Sequence, residues 1–465
     1  MMWRVAWRSV VTRPIRAAVL AAGFGFGIAV MVVLLGVGQV ILEQSHDPAL
    51  AGGGDLIVSG PFGPVSSARH AVATLRKAPG VADRMAALSL TRRARLFLMA
   101  PGKVIPVSAI GGVPSLEKAL GDPEVSAVAA WTDRPGDQVW SRPGTGDVLR
   151  ALDRFHSIPE ARVSSSSWAE WLYFNGRTSD GRLCVYVTFL VGPPAAAAGK
   201  RQAGVRLQLE RDGRASTYAG AGDVDEAAVL AHAPDLDIAG NRVRLDGAIY
   251  RMTLDLTERS ADHSRPRRLT GELRLEAAPQ SLPPASIHGA NGWVSGYVVP
   301  ALSGTLGGDL DVDGEPIRFS NAVGYHDHNW GFWDGVTWQW GQVAQEGLSI
   351  VYGRVFPPAE VADPARIPGF LAVLGSDGPL GFSSNVTIDD STAGRIEVRA
   401  VRGVDVQLTL TVDETVQTRL APTDPQGRRL MNFLQVGGVY RVLGRAGGQR
   451  LDFSARGSAE TFKPQ

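Results

Sequence analysis

Short apolar or alternating runs, each closed by Gly, Asp or Pro, fill the chain from Trp168 onward, with turn signals at roughly ten-residue spacing. Leu183–Leu190, Gly204–Leu209, Met252–Leu256, Leu269–Leu275 and Gly296–Val299 belong to a first half. Leu348–Val355, Phe370–Leu374, Ile396–Ala400, Val404–Val412 and Val439–Leu443 belong to a second. Such runs are too brief for helices, whose apolar stripe must repeat over several turns. They suit the antiparallel strands of sandwiches and barrels. About 300 residues make one very large barrel or two ordinary ones, and two fit domain sizes better. Pro357-Pro358 and Asp363-Pro364 lie between the halves. The expected fold class is mainly β, with antiparallel barrel domains at 166–342 and 343–465.

What precedes this region is different in kind. Residues 1–16 carry Arg4, Arg8, Arg13 and Arg16 without an acid, and no charge occurs from Ala17 to Leu42. An uncharged apolar stretch of ~20 residues suffices to cross a bilayer. Gln44-Ser45-His46-Asp47 makes a poor cleavage site, so a retained anchor is expected over 17–42. The arginines place the amino end in the cytoplasm and the bulk of the chain outside it, as in a single-pass protein of a bacterial inner membrane. Net charge is +1, which argues against nucleic acid as a partner. The single cysteine, Cys184, excludes an internal disulfide framework and reads as a small core residue.

Residues 43–140 read as a small α+β unit. Asp55–Gly60 suits a strand, Ala68–Lys77 a helix stopped by Pro79-Gly80, and Arg95–Met99 and Val104–Ile110 two further strands. Arg13-Pro14-Ile15-Arg16, the Gly-rich span, Gly54-Asp55-Leu56-Ile57-Val58-Ser59-Gly60 and Leu75-Arg76-Lys77-Ala78-Pro79-Gly80-Val81 together resemble the start of MacB/FtsX-type ABC-transporter permeases. The resemblance implies a shared anchor and extracytoplasmic module. No further stretch of comparable length follows, and no nucleotide-binding Gly-xxxx-Gly-Lys-Ser/Thr loop exists. Residues 141–165 combine Pro-Gly turns, a short helical patch (Val148, Leu149, Leu152, Phe155) and serines, which reads as a linker.

Chemistry concentrates at Gly324-Tyr325-His326-Asp327-His328-Asn329-Trp330-Gly331 and the run behind it, with Trp333, Trp338 and Trp340; four of the eleven tryptophans fall between Trp330 and Trp340. On a strand, His326 and His328 share one face, and Asp327 and Asn329 the other. Two histidines can begin a metal site, but no third ligand is visible nearby, His156 and His288 being distant, and no metal or other cofactor is expected. A Ser-His-Asp hydrolase lacks its Gly-x-Ser-x-Gly elbow. Acid-base work in an aromatic pocket is open, since burial raises the pKa of Asp327 and tryptophan faces stabilise a cation. A packed domain junction braced by His, Asp and Asn is open too.

Trp168-Ala169-Glu170-Trp171-Leu172-Tyr173-Phe174-Asn175-Gly176, Gly296-Tyr297-Val298-Val299-Pro300, the Tyr325–Gly331 string and Trp338-Gln339-Trp340-Gly341 resemble the carotenoid 1,2-hydratase (hydroxyneurosporene synthase)/AttH-like family, itself similar to fungal Diels–Alderase-type cyclases. The resemblance implies two lipocalin-like barrels with an elongated apolar pocket near their junction. It implies Asp327 as proton donor to an isoprenoid double bond, with His326 or His328 as partner. Tyr325, Asn329, Trp330, Trp333, Trp338, Trp340, Trp171 and Tyr173 would line the pocket. Two readings follow: a hydratase-type enzyme acting on a hydrophobic small molecule, or a non-enzymatic AttH-like carrier associated with ABC transporter subunits.

Overall fold

A computed structural model describes residues 12, 15, 56–58, 65–78, 80–100, 103–121, 130–259, 266–278, 281–345, 347–376, 378–420 and 431–464. The expected anchor at 17–42 and the basic end at 1–16, save Thr12 and Ile15, lie outside the described residues. Among the described residues, no helix is long and apolar enough to cross a membrane. The described residues divide into two compact units, one comprising those up to residue 64 and 85–141, and the other 65–84 and 142 onward.

The first unit contains the hairpin β1 (Arg92–Ala100) and β2 (Lys103–Gly111) and the helix Pro114–Ala119. The hairpin matches the two strands expected there. The expected helix exists as Ala68–Leu75, capped by the Ser67 side chain on the His70 backbone N–H. It belongs to the second unit, not to the small domain assigned from sequence. Leu56, Ile57 and Val58, expected in a strand, have no regular structure.

The second unit is built from two antiparallel, barrel-like sheets. The first contains β3 (Trp168–Arg177), β4 (Leu183–Pro194), β5 (Lys200–Arg211), β6 (Arg214–Asp225), β7 (Leu236–Ile238), β8 (Asn241–Asp246), β9 (Ile249–Glu258), β10 (Arg268–Ala277), β11 (Leu282–His288), β12 (Val294–Val312) and β13 (Glu315–Phe332). β9 pairs with both β6 and β10, so β3, β4, β5, β6, β9, β10, β12 and β13 close into a ring. Alternation explains the closure. In β9, Tyr250, Met252, Leu254 and Leu256 are buried, while Arg251, Thr253, Asp255 and Thr257 face solvent. The buried set packs with Leu172, Phe174, Val187, Leu207 and Leu273 into one core that fills the ring. Asp313 and Gly314, both with positive φ, join β12 to β13 in the tight turn that an Asp-Gly pair favours.

The second sheet runs β17 (Gly378–Ser383), β16 (Phe370–Gly375), β15 (Leu348–Phe356), β14 (Thr337–Gln345), β22 (Gln449–Pro464), β21 (Met431–Ala446), β20 (Val404–Leu420), β19 (Arg395–Val401) and β18 (Asn385–Asp389) in spatial order. Ile350, Tyr352, Val398, Leu408, Tyr440 and Val442 form its core. The sheets change over between Phe332 and Thr337, not at 342/343, because Trp333–Val336 turns the chain after β13. Trp338 and Trp340 therefore stand on the second sheet.

The stretch read as a linker is structural. The helix Thr145–Leu152 buries Val148, Leu149 and Leu152. Residues beyond it, including Ile158, Ala161 and Val163, pack on a cluster formed by Trp168, Trp293, Trp330 and Phe332. The amphipathic patch is the cause, since its apolar side would otherwise lie in water.

Candidate functional site

Asp327 lies in the last third of the motif strand, β13, pairing with Tyr173 of β3. Alternation sends Tyr325, Asp327 and Asn329 outward from the first barrel, and His326, His328 and Trp330 the other way. The outward face meets the second sheet. There Tyr173, Tyr186, Val299, Leu302, Tyr325, Trp340, Val351 and Leu374 form a common cluster. Beside it opens a cavity of about 240 Å³, with Asp327, Asn329, Tyr297, Trp338, Trp340 and Phe370 among its walls.

Asp327 is 5% exposed. The Tyr325 hydroxyl donates to its Oδ2 at 2.8 Å, and Asn329 Nδ2 donates to its Oδ1 at 2.7 Å. Tyr325 in turn lies 2.7 Å from the Tyr297 hydroxyl, which accepts from the Trp340 indole N–H at 3.0 Å. The order of donors is thereby set: Trp340 to Tyr297, Tyr297 to Tyr325, Tyr325 to Asp327. Burial, the largest influence, pushes the Asp327 carboxyl well above its ordinary range; Glu460 pushes the same way, and the Tyr325 and Asn329 donors oppose it. Burial also holds the phenols of Tyr173, Tyr297 and Tyr325 far above their usual pKa, so they remain neutral donors. The group at the centre is a buried carboxyl with a raised pKa, which favours its holding a proton.

Glu460, brought by β22 opposite Trp340 of β14, is a second acid on the cavity wall. Its Oε2 accepts from Trp338 Nε1 at 2.9 Å and its Oε1 from Gln435 Nε2 at 3.4 Å. Burial raises its pKa as well. The two tryptophans of Trp338-Gln339-Trp340 thus serve different acids, one directly and one through two tyrosines.

Several expectations are corrected here. His326 and His328 do not reach Asp327, because strand alternation places them across β13 from it. His326 stacks on Phe174 at 4.1 Å between ring centres and lies 2.9 Å from the Tyr173 carbonyl through Nδ1. Its Nε2 lies 3.1 Å from Asp153 Oδ2. His328 Nε2 lies 2.9 Å from Glu170 Oε1, and its Nδ1 3.6 Å from Asp153 Oδ1. Trp330 also turns away from the cavity. Its indole lies over Gly296, where any Cβ would fall 2.0 Å from Trp330 Cε2. Trp171, Tyr173, Asn329, Trp333, Trp338 and Trp340 do line the cavity, and Tyr325 sits behind Asp327.

The inner face holds a buried ionic network that sequence reasoning missed. Asp153, from the supposed linker, accepts from the Tyr250 hydroxyl at 2.5 Å. Burial works to raise the pKa of Asp153, but His326 and His328 outweigh it and hold the group well below the carboxylate range. Burial likewise tends to raise Glu170, and His156 with His328 lowers it on balance. Burial alone would lower His328, yet Asp153 and Glu170 raise it to about 9. His156, read from sequence as distant, lies 2.8 Å from Glu170 Oε1 through Nδ1 and stacks on Trp330. His156, Glu170 and His328 form a donor set of the kind that can hold a metal ion. Within this set, Glu170 Oε1 lies within hydrogen-bond distance of both imidazoles. Asp153 was announced only by the amphipathic helix before it, and Glu460 by nothing near the motif.

No protein-family model matches the chain, and no curated protein matches it in sequence. Among solved structures, the chain is similar to a candidate AttH of Nitrosomonas europaea, with 16% identity, a TM-score of 0.39, and 66% of this chain and 96% of that one covered. CghA in complex with Sch210972 is similar at 14% identity and a TM-score of 0.40, covering 68% and 94%. Kievitone hydratase of Nectria haematococca is similar at 13% identity and a TM-score of 0.38, covering 68% and 98%.

Proposed function

We propose that the second unit binds an apolar, isoprenoid-like molecule and adds water across one of its double bonds by acid catalysis. The observation that carries this is the buried Asp327 carboxyl on the wall of an aromatic cavity, where burial pushes its pKa up. In this reading the Asp327 proton passes to one alkene carbon, and the π electrons form the new C–H bond. The adjacent carbon becomes cationic beside indole and phenol faces, a contact worth ~0.5–2 kcal/mol each. Water attacks that carbon, and its excess proton returns to the Asp327 carboxylate, restoring the acid. No histidine takes part, since both motif histidines are engaged on the inner face.

A carrier reading is favoured by the same fact, because Asp327 has no basic partner within hydrogen-bond reach among the described residues. One experiment separates the two. The full chain is incubated with isoprenoid alkenes in ¹⁸O-labelled water, and products are examined by mass spectrometry. An alcohol carrying the label with the native chain, and loss of at least ~100-fold in its rate with Asp327→Asn, is the expected result. Product formation unchanged in that variant would overturn the role of Asp327. Binding without product from either chain would leave the carrier.

A further inference from the structure

The cavity has a second, polar end. In the register of the first barrel, Asp327 pairs with Tyr173, Tyr173 with Thr188, and Thr188 with Arg206. The neighbouring row is Tyr325, Asn175, Tyr186 and Gln208. With strands ~4.8 Å apart, three intervals put Arg206 and Gln208 ~14 Å from the acid along the sheet. Tyr173 and Thr188 stand between the two ends in that register, and Trp171, Leu190 and Phe433 add apolar wall to the cavity. Arg206 and Gln208 then share the cavity with Gln435 and Glu460 from the second sheet.

Gln208 is the informative side chain. It is 2% exposed, its Nε2 donates to Glu210 Oε1 at 2.8 Å, and its Oε1 has no hydrogen-bond partner. Turning the amide over exchanges its ends and still leaves one of them unmatched. Buried polar atoms are nearly always paired, so an unmatched one lining a cavity marks where a ligand completes the bond. A hydroxyl both donates and accepts, and therefore serves either orientation of the amide. Arg206 and Glu460 attract one another across this end, which favours a neutral group over an ion.

We infer that the ligand is an amphipathic alcohol, its hydroxyl held by Gln208 beside Arg206 and Glu460 and its reacting double bond ~14 Å away at Asp327. This rests on the reading of the cavity as an isoprenoid site. A pure hydrocarbon leaves the Gln208 amide unmatched, and a site built for a hydroxyl discriminates against an analogue lacking one.

The test titrates the purified full chain with farnesol and with the hydrocarbon β-farnesene, following the fluorescence of the tryptophans on the cavity wall. Farnesol is expected to bind at least about tenfold more tightly. Gln208→Leu is expected to remove that preference. Gln435→Leu, at a half-buried position, provides a second variant expected to narrow the preference should Gln208→Leu fold poorly. Equal affinity of the native chain for both probes overturns the hydroxyl site while leaving the isoprenoid site standing. Tighter binding of farnesoic acid than of farnesol overturns the neutral head group. Binding of none of the probes overturns the isoprenoid reading itself, and this inference with it.

Discussion

Asp327 is held in a state that works against the fold. Its ordinary pKa is 3.8 and burial raises it, so the folded chain binds this proton more tightly than the unfolded one. The sign follows: the contribution of Asp327 to stability is fully present below about pH 4 and is lost as pH rises toward its folded pKa. Asp327→Asn keeps the shape without the titration. Its melting temperature is expected to exceed that of the native chain by a margin that widens from pH 4 to pH 8, measured by thermal unfolding at several pH values. A margin independent of pH would show that the carboxyl is not raised. This residue was legible in the sequence, since an acid amid aromatics on a predicted strand already points to a raised pKa. Glu460 was not, because no local pattern announces which distant strand will face a motif. Trp330 was misplaced for a plainer reason: it shares the parity of the histidines, not that of Asp327.

Among the elements, the segment from Thr145 to Val163 differs most from its sequence reading. Turn residues and serines suggest a linker, yet the segment supplies Asp153 and His156 to the buried network and apolar residues to a core cluster. Asp153→Asn removes one of the two carboxylates that face the buried His328, and removing one partner of a buried charged pair costs ~3–5 kcal/mol. That loss is expected in urea unfolding of the full chain. Combined with Tyr250→Phe it should be less than additive, because both changes break the 2.5 Å contact between the Tyr250 hydroxyl and Asp153. Strands were easier to foresee than this segment, since their period-two alternation is local. Here the sequence offers only a short amphipathic patch, and its burial depends on a barrel that forms from residues further along the chain.

At the scale of the whole molecule, the two sheets together make the cavity. The first contributes Asp327, Tyr297 and Gln208, and the second Trp338, Trp340, Phe370, Phe433 and Glu460. A chain ending at Phe332 is expected to lose farnesol binding and to bind a hydrophobic dye, because Val299, Leu302 and Tyr325 lose the partners that cover them. Retention of farnesol binding by the shortened chain would place the ligand elsewhere. The two-barrel plan was readable from the cadence of short runs and turns. The point of changeover was not, because Trp338 and Trp340 continue the aromatic texture of the motif while lying on the next sheet.

Strand β13 carries reactive and supporting side chains in strict alternation, acid outward and histidines inward. A mutational library confined to its outward positions can search for new reactivity while leaving the packed interior untouched. The same arrangement sets a hazard in folding. A slip of β13 by a single position would send Asp327 into the interior and the imidazoles into the cavity, exchanging acid for base. Proofreading of strand register, by the Asp313-Gly314 turn and the filled interior of the ring, is thus also proofreading of the chemistry.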